Sequence, residues 1–450
     1  MKTYWDEYKS KLVSTDEAIK TVKSGDFVHF GEYVMNSQYL DEALAKRKDE
    51  LSDVMIRMVC VPFQPQTILS DPEGKSFYLH ETHFSGAVRK LADQRMPAYF
   101  VPMLYSDIAD YYWRGYFPPI DVLLYKVGPM DEHGFFNLGP SNSGFAAFLD
   151  TSKKVIVEVN QSVPNCLGGC REAIHISDID MIVEGDNRPL MSIPAVPASD
   201  ADKKIASLLM NEIEDGSCLQ LGIGGLPNII GKMISESDLK DLGIHTEMLC
   251  DSMVDMYETG RVTGNKKTID RKKMVYTFAM GSQKLYDFLD NNHACASYPC
   301  DYTNNPEVIA LNDKVISING CLEVDLYGQV CSESSGPRQI SGTGGQYDFV
   351  MGGYKSKGGK TFLCMSSTVA KKDGTLESRI KPLTTYGSIV TIPRSISNYI
   401  ATEYGIVRLK GLSTWQRAEA LIGIAHPQFR DELVKSAEEN GIWRKSNKLC

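Results

Sequence analysis

The sequence predicts an α/β fold made of two tandem domains whose sheets are largely parallel. Short β-rich runs alternate with helical patterns along most of the 450 residues, and strands separated by helices are typical of crossover units in parallel sheets. A stretch at 187–200, NRPLMSIPAVPASD, is rich in proline and small residues and divides this alternation in two. With 42% hydrophobic and 23% charged residues, the chain has ordinary globular composition and room for two large domains.

In the first half, apolar β-branched runs predict buried strands and mixed patterns predict helices. The predicted strands are 54–61 (VMIRMVCV), 122–125 and 155–159 (VIVEV), and the predicted helices are 16–24 and 40–47. Ser14 and Glu17 form a capping-box pattern at the start of the first helix. These elements make up a predicted N-terminal domain at 1–186.

The segment 187–200 is predicted to be an extended linker, because it has no clear hydrophobic period. A helix is predicted at 202–214, and a new alternation follows in the predicted C-terminal domain, 201–450. The predicted strands of this domain have the sequences LQLGIG, HTEML, KMVYTFAM, VISING, TFLCMSS and SIVTI.

The net charge of −9 and the sequence pI of about 5.5 argue against nucleic acid as a partner. Binding to nucleic-acid phosphates needs clustered Lys and Arg, whereas this balance is acidic and of mixed sign. It is typical of a soluble protein and still permits a local basic patch that meets a small anion.

The N-terminal segment MKTYWDEYKSKLVSTDEAIK is charged and lacks the apolar core and cleavage site of a signal peptide. No uncharged apolar run approaches the roughly 18 residues of a membrane span. The sequence therefore predicts a cytoplasmic protein without a membrane partner. The eleven cysteines lack disulfide-framework spacing. Neither Cys166 and Cys170 nor Cys295 and Cys300 have a second ligand pair close behind them, so no metal site is predicted.

A glycine-rich turn is predicted in 219–230, LQLGIGGLPNII. An apolar strand runs into Gly222, Gly224 and Gly225, and Pro227 opens a helix. Exposed backbone N–H groups in such a turn suit a phosphate, a pyrophosphate or a developing oxyanion, although a simple βα turn has the same pattern. Pro227 stands where a dinucleotide-binding G-x-G-x-x-G would have its third glycine, and the G-K-[ST] ending of a P-loop is missing.

The segment 243–251, GIHTEMLCD, predicts a short strand with His245 and Glu247 on one face, because side chains alternate along a strand. A carboxylate at the end of a parallel strand lies where active sites gather in open α/β sheets. Glutamate can act there as a nucleophile, an acid or a base. Taken alone, Glu247 is more often a solvated or ion-paired residue, and His245 is more often a hydrogen-bonded structural residue.

Three further segments carry polar groups. The loop 340–349, ISGTGGQYDF, has three glycines whose backbone can approach a ligand or simply form a turn. In 322–330, LEVDLYGQV, Glu323 and Asp325 alternate with apolar residues, which favours a half-exposed strand over acid–base or metal chemistry. In 128–140, Asp131 and His133 lie in a turn that we interpret as a polar cleft lining. A catalytic pair is less favoured there, since the nearby serines lack a nucleophile elbow.

Six segments, in this order, resemble the class I CoA-transferases of the acetyl-CoA hydrolase/transferase type. They are LQLGIGGLPN (219–228), GIHTEM (243–248), NNPEVI (304–309), LEVDLYGQV (322–330), SGTGGQYDF (341–349) and TEYGIVRLKG (402–411). The similarity runs along nearly the whole chain. The closing KGLSTWQRAEALIGIAHPQFRDEL and WRKSN resemble the branch that uses butyryl-CoA and acetate, with a 4-hydroxybutyrate branch nearby. The resemblance implies two tandem α/β domains of the NagB/RpiA-like CoA-transferase type.

The resemblance assigns the role of nucleophile to Glu247. It implies that a run of five residues contacts CoA: Gly222, Ile223, Gly224, Gly225 and Leu226. It further implies CoA contacts at Leu322, Gly342, Gly345 and Lys371. Relatives often have Ser-Asp-Gly after the E-M pair, whereas this chain has Cys250-Asp251-Ser252, which puts the local turn and the acyl preference in doubt.

The activity implied by the resemblance is ping-pong transfer of CoA from butyryl-CoA to acetate through an acyl-glutamyl anhydride and a glutamyl-CoA thioester. CoA is then a co-substrate, and no tightly bound cofactor is expected. The expected partners are acyl-CoA, short-chain carboxylates and further copies of the chain in a homodimer or larger homo-oligomer. Backbone N–H groups at 222–225 and 342–345 are candidates to stabilise the oxyanions. An acyl-CoA hydrolase, a non-catalytic CoA sensor and a dinucleotide-dependent dehydrogenase are the alternatives.

Overall fold

A computed structural model of the protein describes residues 3–194 and 196–443. Contacts within the chain divide these residues into two units. The first unit holds the described residues up to Pro194 together with Glu247–Leu249 and Val275–Asn304. The second unit holds 196–246, Cys250–Met274 and 305–443. The sequence-based division into 1–186, 187–200 and 201–450 stays a prediction, and residues 1–2, 195 and 444–450 lie outside the described residues.

Helices and strands alternate along residues 3–194. The helices are α1 (Tyr4–Lys11), α2 (Thr15–Ile19), α3 (Gln38–Ala45), α4 (Gln66–Ser70), α5 (Gly86–Asp93), α6 (Ile108–Trp113) and α7 (Phe145–Thr151). The strands are β1 (Phe27–Glu32), β2 (Val54–Val59), β3 (Phe77–Glu81), β4 (Ala98–Phe100), β5 (Val122–Val127), β6 (Phe135–Asn137), β7 (Val155–Val159), β8 (Ala173–His175) and β9 (Met181–Glu184). Short 3-10 turns occur at Tyr33–Met35, Tyr105–Asp107 and Ile176–Asp178.

The same alternation continues along residues 196–443. The helices are α8 (Asp200–Met210), α9 (Gly225–Ser235), α10 (Asp251–Glu258), α11 (Gln283–Leu289), α12 (Cys300–Thr303), α13 (Pro306–Ala310), α14 (Gln346–Lys355), α15 (Thr414–Gly423) and α16 (Arg430–Glu439), with a 3-10 turn at Pro427–Phe429. The strands are β10 (Cys218–Leu221), β11 (Gly243–Ile244), β12 (Met248–Leu249), β13 (Met274–Tyr276), β14 (Phe278–Ala279), β15 (Cys295–Ser297), β16 (Val315–Gly320), β17 (Glu323–Asp325), β18 (Val330–Cys331), β19 (Ser334–Ser335), β20 (Arg338–Gln339), β21 (Lys360–Cys364), β22 (Thr368–Ala370), β23 (Leu376–Ser378), β24 (Ile380–Lys381), β25 (Tyr399–Thr402) and β26 (Gly405–Arg408).

The first unit is built on a seven-stranded sheet in the order β4-β3-β2-β1-β5-β7-β9, and all its strand pairs are parallel. Both faces of this sheet are buried. Along β5, Leu123 and Tyr125 pack into one hydrophobic cluster, whereas Val122 and Leu124 pack into another. Because side chains alternate across a strand, the continuous apolar runs in the sequence reflect cover on both faces.

The second unit contains a six-stranded sheet in the order β11-β10-β16-β21-β25-β26. Its pairs are parallel apart from the edge pair β25·β26. A separate hydrophobic cluster joins Leu363 and Ile400 of this sheet to Leu421 and Leu433 of α15 and α16. The predicted α/β class with largely parallel sheets is confirmed in both units. Within 3–194 and 196–443, no helix has the length and apolar character needed to cross a bilayer.

Most predicted elements are present, with altered ends. The strands predicted at 54–61, 122–125 and 155–159 are β2, β5 and β7, and the helix predicted at 202–214 is α8. The helix predicted at 16–24 ends at Ile19, and the chain turns before Gly25, whose φ is 81°. The strand predicted from SIVTI is wrong: Ile392 forms an isolated bridge to Val330, and Pro393 follows without an N–H to extend a ladder.

Candidate active site

Glu247 lies in a bend between two short strands. The strand before it, β11, pairs with β10, whereas the strand after it, β12, pairs with β14. The main-chain carbonyl of Glu247 accepts the N–H groups of Thr277 and Phe278 at 3.0 and 3.2 Å. The expected single strand with His245 and Glu247 on one face is therefore wrong, because the chain changes its pairing partner between them. His245 is buried and Glu247 is half-buried.

A side-chain amide holds the Glu247 carboxylate. Asn304 Nδ2 donates a hydrogen bond to Glu247 Oε2 at 2.6 Å. Asn304 is the C-terminal cap of α12, and its N–H donates to the carbonyl of Cys300 at 2.8 Å. The short helix therefore fixes the position of the amide. The amide is a neutral donor that orients the carboxylate.

Three aromatic side chains form a wall in the same unit. Phe278, whose N–H binds the Glu247 carbonyl, stacks on Tyr33 with ring centroids 3.5 Å and planes 9° apart. Tyr105 meets both rings edge-on at 6.2 Å, and its hydroxyl forms a hydrogen bond with Ser143 Oγ. Burial raises the pKa of Tyr33 and Tyr105 well above the usual value, and the charge of Glu247 contributes to both shifts. Both hydroxyls are therefore neutral and lie within electrostatic reach of the carboxylate.

Strained backbone accompanies this wall. Tyr33, Cys60 and Ser143 have left-handed φ values of 51°, 48° and 44°. Tyr33 directly follows β1 and Cys60 directly follows β2, so both lie at carboxyl ends of parallel strands, where ligands bind in open α/β sheets. Burial raises the pKa of the Cys60 thiol, and the charges of Glu81 and Glu247 add to the shift. Such conformations cost about 1–3 kcal/mol each and cluster at functional sites.

Two buried carboxylates anchor these turns. Glu81 Oε1 accepts the N–H of Cys60 at 2.9 Å and those of the two residues after Glu81 at 3.0 and 3.2 Å. Glu32 Oε2 accepts the N–H of Gly144 at 3.2 Å. Burial raises the pKa of Glu32 to about 7 and that of Glu81 to about 8, although these hydrogen bonds oppose the shifts.

In the second unit, the predicted glycine-rich turn joins β10 to α9. Gly224 caps the helix with φ 116° and ψ −174°, a conformation restricted almost entirely to glycine. A Cβ on Gly225 would lie 3.0 Å from Ala198 Cα, whereas a Cβ on Gly222 or Gly224 would meet open space. No side chain of a described residue caps α9, so its first N–H groups face the turn without a side-chain acceptor.

This turn lines a cavity of about 350 Å³ whose other walls are the start of α8 and the carboxyl ends of β16 and β21. All five residues that the resemblance assigns to this loop line the cavity: Gly222, Ile223, Gly224, Gly225 and Leu226. A cavity of this volume at the carboxyl ends of parallel strands is typical of a small-molecule site.

Four other candidate CoA contacts do not belong to the described lining of this cavity: Leu322, Gly342, Gly345 and Lys371. The N–H of Leu322 donates to the carbonyl of Cys331 at 2.9 Å. Lys371 lies in the β22–β23 hairpin and pairs with Glu377 at 3.3 Å. Gly342 belongs to the loop before α14, and Gly345 caps that helix. Binding of CoA by these four residues stays a prediction.

The segment with the paired carboxylates Glu323 and Asp325 differs from the expected half-exposed strand. Both residues lie on β17 but are buried. Glu323 accepts the N–H and the hydroxyl of Thr385 at 2.9 and 2.6 Å. Asp325 Oδ1 accepts the N–H groups of Tyr327 and Gln329 at 3.0 and 2.9 Å. These bonds compensate for burial, so both carboxylates hold the neighbouring turns together.

Asp131 closes its own turn. Its Oδ1 accepts the N–H groups of His133 and Phe135 at 2.9 and 2.8 Å, as short acidic side chains do in turns. The exposed His133 ring lies 3.5 Å from Glu132. These contacts favour the turn over a catalytic pair, and a role as cleft lining stays a prediction.

The departure at Cys250-Asp251-Ser252 lies at a close helix contact. Cys250 Sγ is 3.9 Å from the carbonyl oxygen of Gly222 and 3.2 Å from Ser252 Oγ. A Cβ on Gly231 would lie 2.5 Å from the Cβ of Ser252. Ser252 therefore fits where relatives often have glycine because the facing residue of α9 has no side chain.

Sequence reasoning gave no role to Asn304, Tyr33 or Cys60. Asn304 opens the NNPEVI segment, so its position in a family motif was the signal available. Cys60 falls inside the strand predicted at 54–61, where an apolar run gives no sign of a strained turn. Tyr33 has no distinguishing local pattern, and only the fold brings it to Phe278.

Comparison with known proteins identifies the family. The model of the acetyl-CoA hydrolase/transferase N-terminal domain matches residues 1–194, and that of the C-terminal domain matches residues 281–437. The chain is 50% identical to the butyryl-CoA:acetate CoA-transferase of Anaerostipes caccae, over 99% of this chain and 100% of that protein. It is 39% identical to the 4-hydroxybutyrate coenzyme A transferase of Clostridium kluyveri, over 96% and 98%. The crystal structure of RipA from Yersinia pestis aligns with a TM-score of 0.88 and 35% identity, over 98% and 99%.

Proposed function

The chain belongs to the acetyl-CoA hydrolase/transferase family, and we propose that it transfers CoA from butyryl-CoA to acetate through a covalent intermediate on Glu247. The relatives named for butyrate, acetate and 4-hydroxybutyrate support short-chain acyl-CoAs and carboxylates as substrates. CoA acts as a co-substrate in this proposal. A cytoplasmic location and a homodimer or larger homo-oligomer are part of the same proposal.

The observation that carries the proposal is the Glu247 carboxylate, held by Asn304 at 2.6 Å in a bend beside neutral aromatic side chains. A carboxylate is a weak nucleophile, so it has to be oriented and kept from bulk water. Asn304 supplies the orientation. The stacked rings of Tyr33 and Phe278 supply an apolar surface in the same unit. The Gly222–Leu226 loop borders a cavity and leads into a helix that no described side chain caps, which supports binding of the CoA moiety.

The proposed reaction has two halves. The Glu247 carboxylate attacks the thioester carbonyl of butyryl-CoA and expels the CoA thiolate, which leaves a mixed butyryl-glutamyl anhydride. The thiolate attacks the glutamyl carbonyl, releases butyrate and forms a glutamyl-CoA thioester. Acetate then attacks this thioester to give an acetyl-glutamyl anhydride and thiolate, and thiolate attack on the acetyl carbonyl yields acetyl-CoA and free Glu247. Every step conserves one activated acyl bond, and the kinetics are ping-pong.

The first experiment is intact-mass analysis after incubation with butyryl-CoA. Wild-type protein is expected to gain the mass of a CoA thioester, and Glu247→Ala is expected to gain none and to lose transfer to acetate. Glu247→Asp should lose most activity, because its carboxylate is one methylene shorter. The exposed Glu438 gives a matched control, and Glu438→Ala should form the adduct normally. Normal transfer by Glu247→Ala would contradict the assignment.

An assay of the wild-type protein with butyryl-CoA, with and without acetate, distinguishes CoA transfer from hydrolysis. Release of butyrate from butyryl-CoA should depend on added acetate and produce an equal amount of acetyl-CoA. If butyrate release proceeds at the same rate without acetate, the activity is that of an acyl-CoA hydrolase, and the transferase proposal fails.

A further inference from the structure

Arg379, in the second unit, has the position and the available hydrogen-bond donors of an anion-binding residue. It lines the same cavity as the glycine-rich turn and is half-buried. Its main chain is fixed on both sides, since its N–H donates to the carbonyl of Ser367 at 2.9 Å and its carbonyl accepts the N–H of Val324 at 3.0 Å. These bonds hold the Cα of Arg379 in place at the wall of the cavity.

Among the residues that the structure describes, the Arg379 guanidinium has neither an ion pair nor a side-chain hydrogen bond. The neighbouring carboxylates are engaged elsewhere. Glu377 forms ion pairs with Lys371 and Lys381, and Glu403 accepts the N–H and hydroxyl of Ser367 at 2.8 and 2.6 Å. A guanidinium carries five donors and keeps its charge at any physiological pH, so its hydrogen-bonding capacity is left for a ligand.

The charge of Arg379 acts on the interior of the cavity. Burial raises the pKa of the Cys321 thiol to about 12, and the positive charge of Arg379 opposes that shift. Cys321 follows β16 directly and lines the cavity. Asp202 is the acidic residue of the lining, but its Oδ2 accepts the N–H and hydroxyl of Ser199 at 2.9 and 2.7 Å in the cap of α8. No ion pair joins Asp202 to Arg379 among the residues that the structure describes, so the Arg379 guanidinium keeps its donors for a ligand.

We propose that Arg379 binds a phosphate group of the CoA substrate and so fixes the nucleotide end of CoA in the cavity lined by Gly222–Leu226. This inference rests on the proposed function, because it takes CoA as the ligand of that loop. A guanidinium matches phosphate oxygens with two parallel N–H···O bonds. CoA offers two sources of this chemistry, its pyrophosphate and its 3′-phosphate.

The test compares substrates that carry different phosphates: butyryl-CoA, butyryl-dephospho-CoA, butyryl-phosphopantetheine and butyryl-pantetheine. Arg379→Gln should raise KM for butyryl-CoA about 10- to 100-fold, as expected for loss of a charge-assisted bond. Its KM for butyryl-pantetheine, which has no phosphate, should equal that of wild type within about twofold. Loss of the effect with butyryl-dephospho-CoA would identify the 3′-phosphate as the partner, and its persistence would identify the pyrophosphate.

Two variants and one binding measurement keep the result decisive. Arg379→Lys should recover part of the loss, since it keeps the charge but not the paired donors. Arg408→Gln, at an exposed arginine of the same unit, should leave all KM values unchanged. Calorimetric binding of free CoA should weaken by the same factor in Arg379→Gln, whether or not the protein transfers acyl groups, which separates this inference from the proposed function. An equal rise in KM for butyryl-pantetheine and butyryl-CoA, or unchanged CoA binding, would overturn the phosphate assignment.

Discussion

Asn304 gives the Glu247 carboxylate a neutral partner, and this choice matters for a nucleophile. A hydrogen bond from an amide fixes the direction of the attacking oxygen and still leaves the negative charge on the carboxylate. A lysine or arginine at 2.6 Å would stabilise that charge much more strongly and make the attack harder. Asn304 is therefore a positioning residue in the proposed reaction, acting through Glu247.

Removal of this amide should slow the reaction without changing the fold. Asn304→Ala is expected to lower kcat about 10- to 100-fold, the usual cost of a hydrogen bond to a charged group, with a smaller change in KM. Asn304→Asp places a second carboxylate against Glu247, and like charges this close raise the pKa of the pair. Its kcat should be lowest at high pH and recover partly as the pH falls and the pair binds one proton. Steady-state kinetics across the pH range measures both effects.

The neighbouring Asn305 provides the control. Its side chain caps α13 through the N–H of Glu307 at 2.9 Å. Asn305→Ala removes a cap worth about 1 kcal/mol of stability but should keep the wild-type kcat and pH profile. The positioning role is refuted if Asn304→Asp follows the wild-type pH profile or if Asn304→Ala keeps full turnover.

At this scale, the sequence predicts Glu247 as the nucleophile, which stays a prediction, and it does not reveal the side chain that contacts Glu247, for a physical reason. Glu247 lies in a motif of local character, with polar residues at a strand end. Asn304 is 57 positions away, and nothing in the residues around it reveals which carboxylate it meets. Arg379 is similar, since its lack of an ion pair among the described residues becomes visible only when the contacts of Glu377 and Glu403 are known.

Among the elements, the segment through Glu247 and the glycine-rich turn show two different limits of sequence reasoning. Alternation in GIHTEML predicts one strand, but β11 and β12 pair with different strands, and pairing partners are not encoded in local alternation. The turn at 222–226 was predicted correctly in its position, because a glycine cluster between an apolar run and a helix start is a local signal. The buried Glu323 and Asp325 fall between these cases, since their hydrogen-bond partners come from distant or turn residues.

The glycines of this turn are expected to differ in their tolerance of substitution. Gly224→Ala must place a side chain at φ 116°, so it should lower the free energy of unfolding by about 1–3 kcal/mol. Gly222→Ala has no positive φ to strain and its Cβ meets open space, so it should change stability by less than about 0.5 kcal/mol or raise it slightly. Urea unfolding of the two variants beside wild type makes the comparison. Equal stability of the two variants would show that the backbone of Gly224 is not restrictive.

For the molecule as a whole, parallel sheets with buried faces explain why the fold class could be predicted from the sequence. Runs such as VMIRMVCV and VIVEV are apolar at nearly every position because both faces of the sheet are covered. The sequence does not reveal which segments belong to which unit. Glu247–Leu249 and Val275–Asn304 group with the first unit, although both follow the proline-rich stretch at 187–200. This grouping depends on contacts of high sequence separation, such as the stack of Tyr33 on Phe278 and the bridge between Ser141 and Phe278, which leave no local pattern.

Buried carboxylates of the first unit link its stability to pH. Glu81 ends β3 and is fully buried, and burial raises its pKa from 4.5 in the unfolded reference to about 8. Between these values the folded protein holds a proton that the unfolded chain has already released. Stability from this group is therefore complete below the unfolded pKa and is lost as the pH rises through the folded pKa. Glu32, with a pKa raised to about 7, acts in the same direction.

Glu81→Gln should remove this dependence and thereby stabilise the protein at high pH. The amide oxygen can accept the same N–H groups as Glu81 Oε1, from Cys60 and from the two residues after position 81. The glutamine side chain, however, does not ionise in this pH range. The difference in unfolding free energy between variant and wild type should grow in favour of the variant from roughly pH 5 to pH 8, by at most about 1.4 kcal/mol per pH unit. Urea unfolding at a series of pH values measures this slope, with the exposed Glu438→Gln as a control that should show none. A difference that stays constant across the series would mean that Glu81 does not change its proton occupancy on folding, and the stability of the unit would then have to depend on pH through other groups.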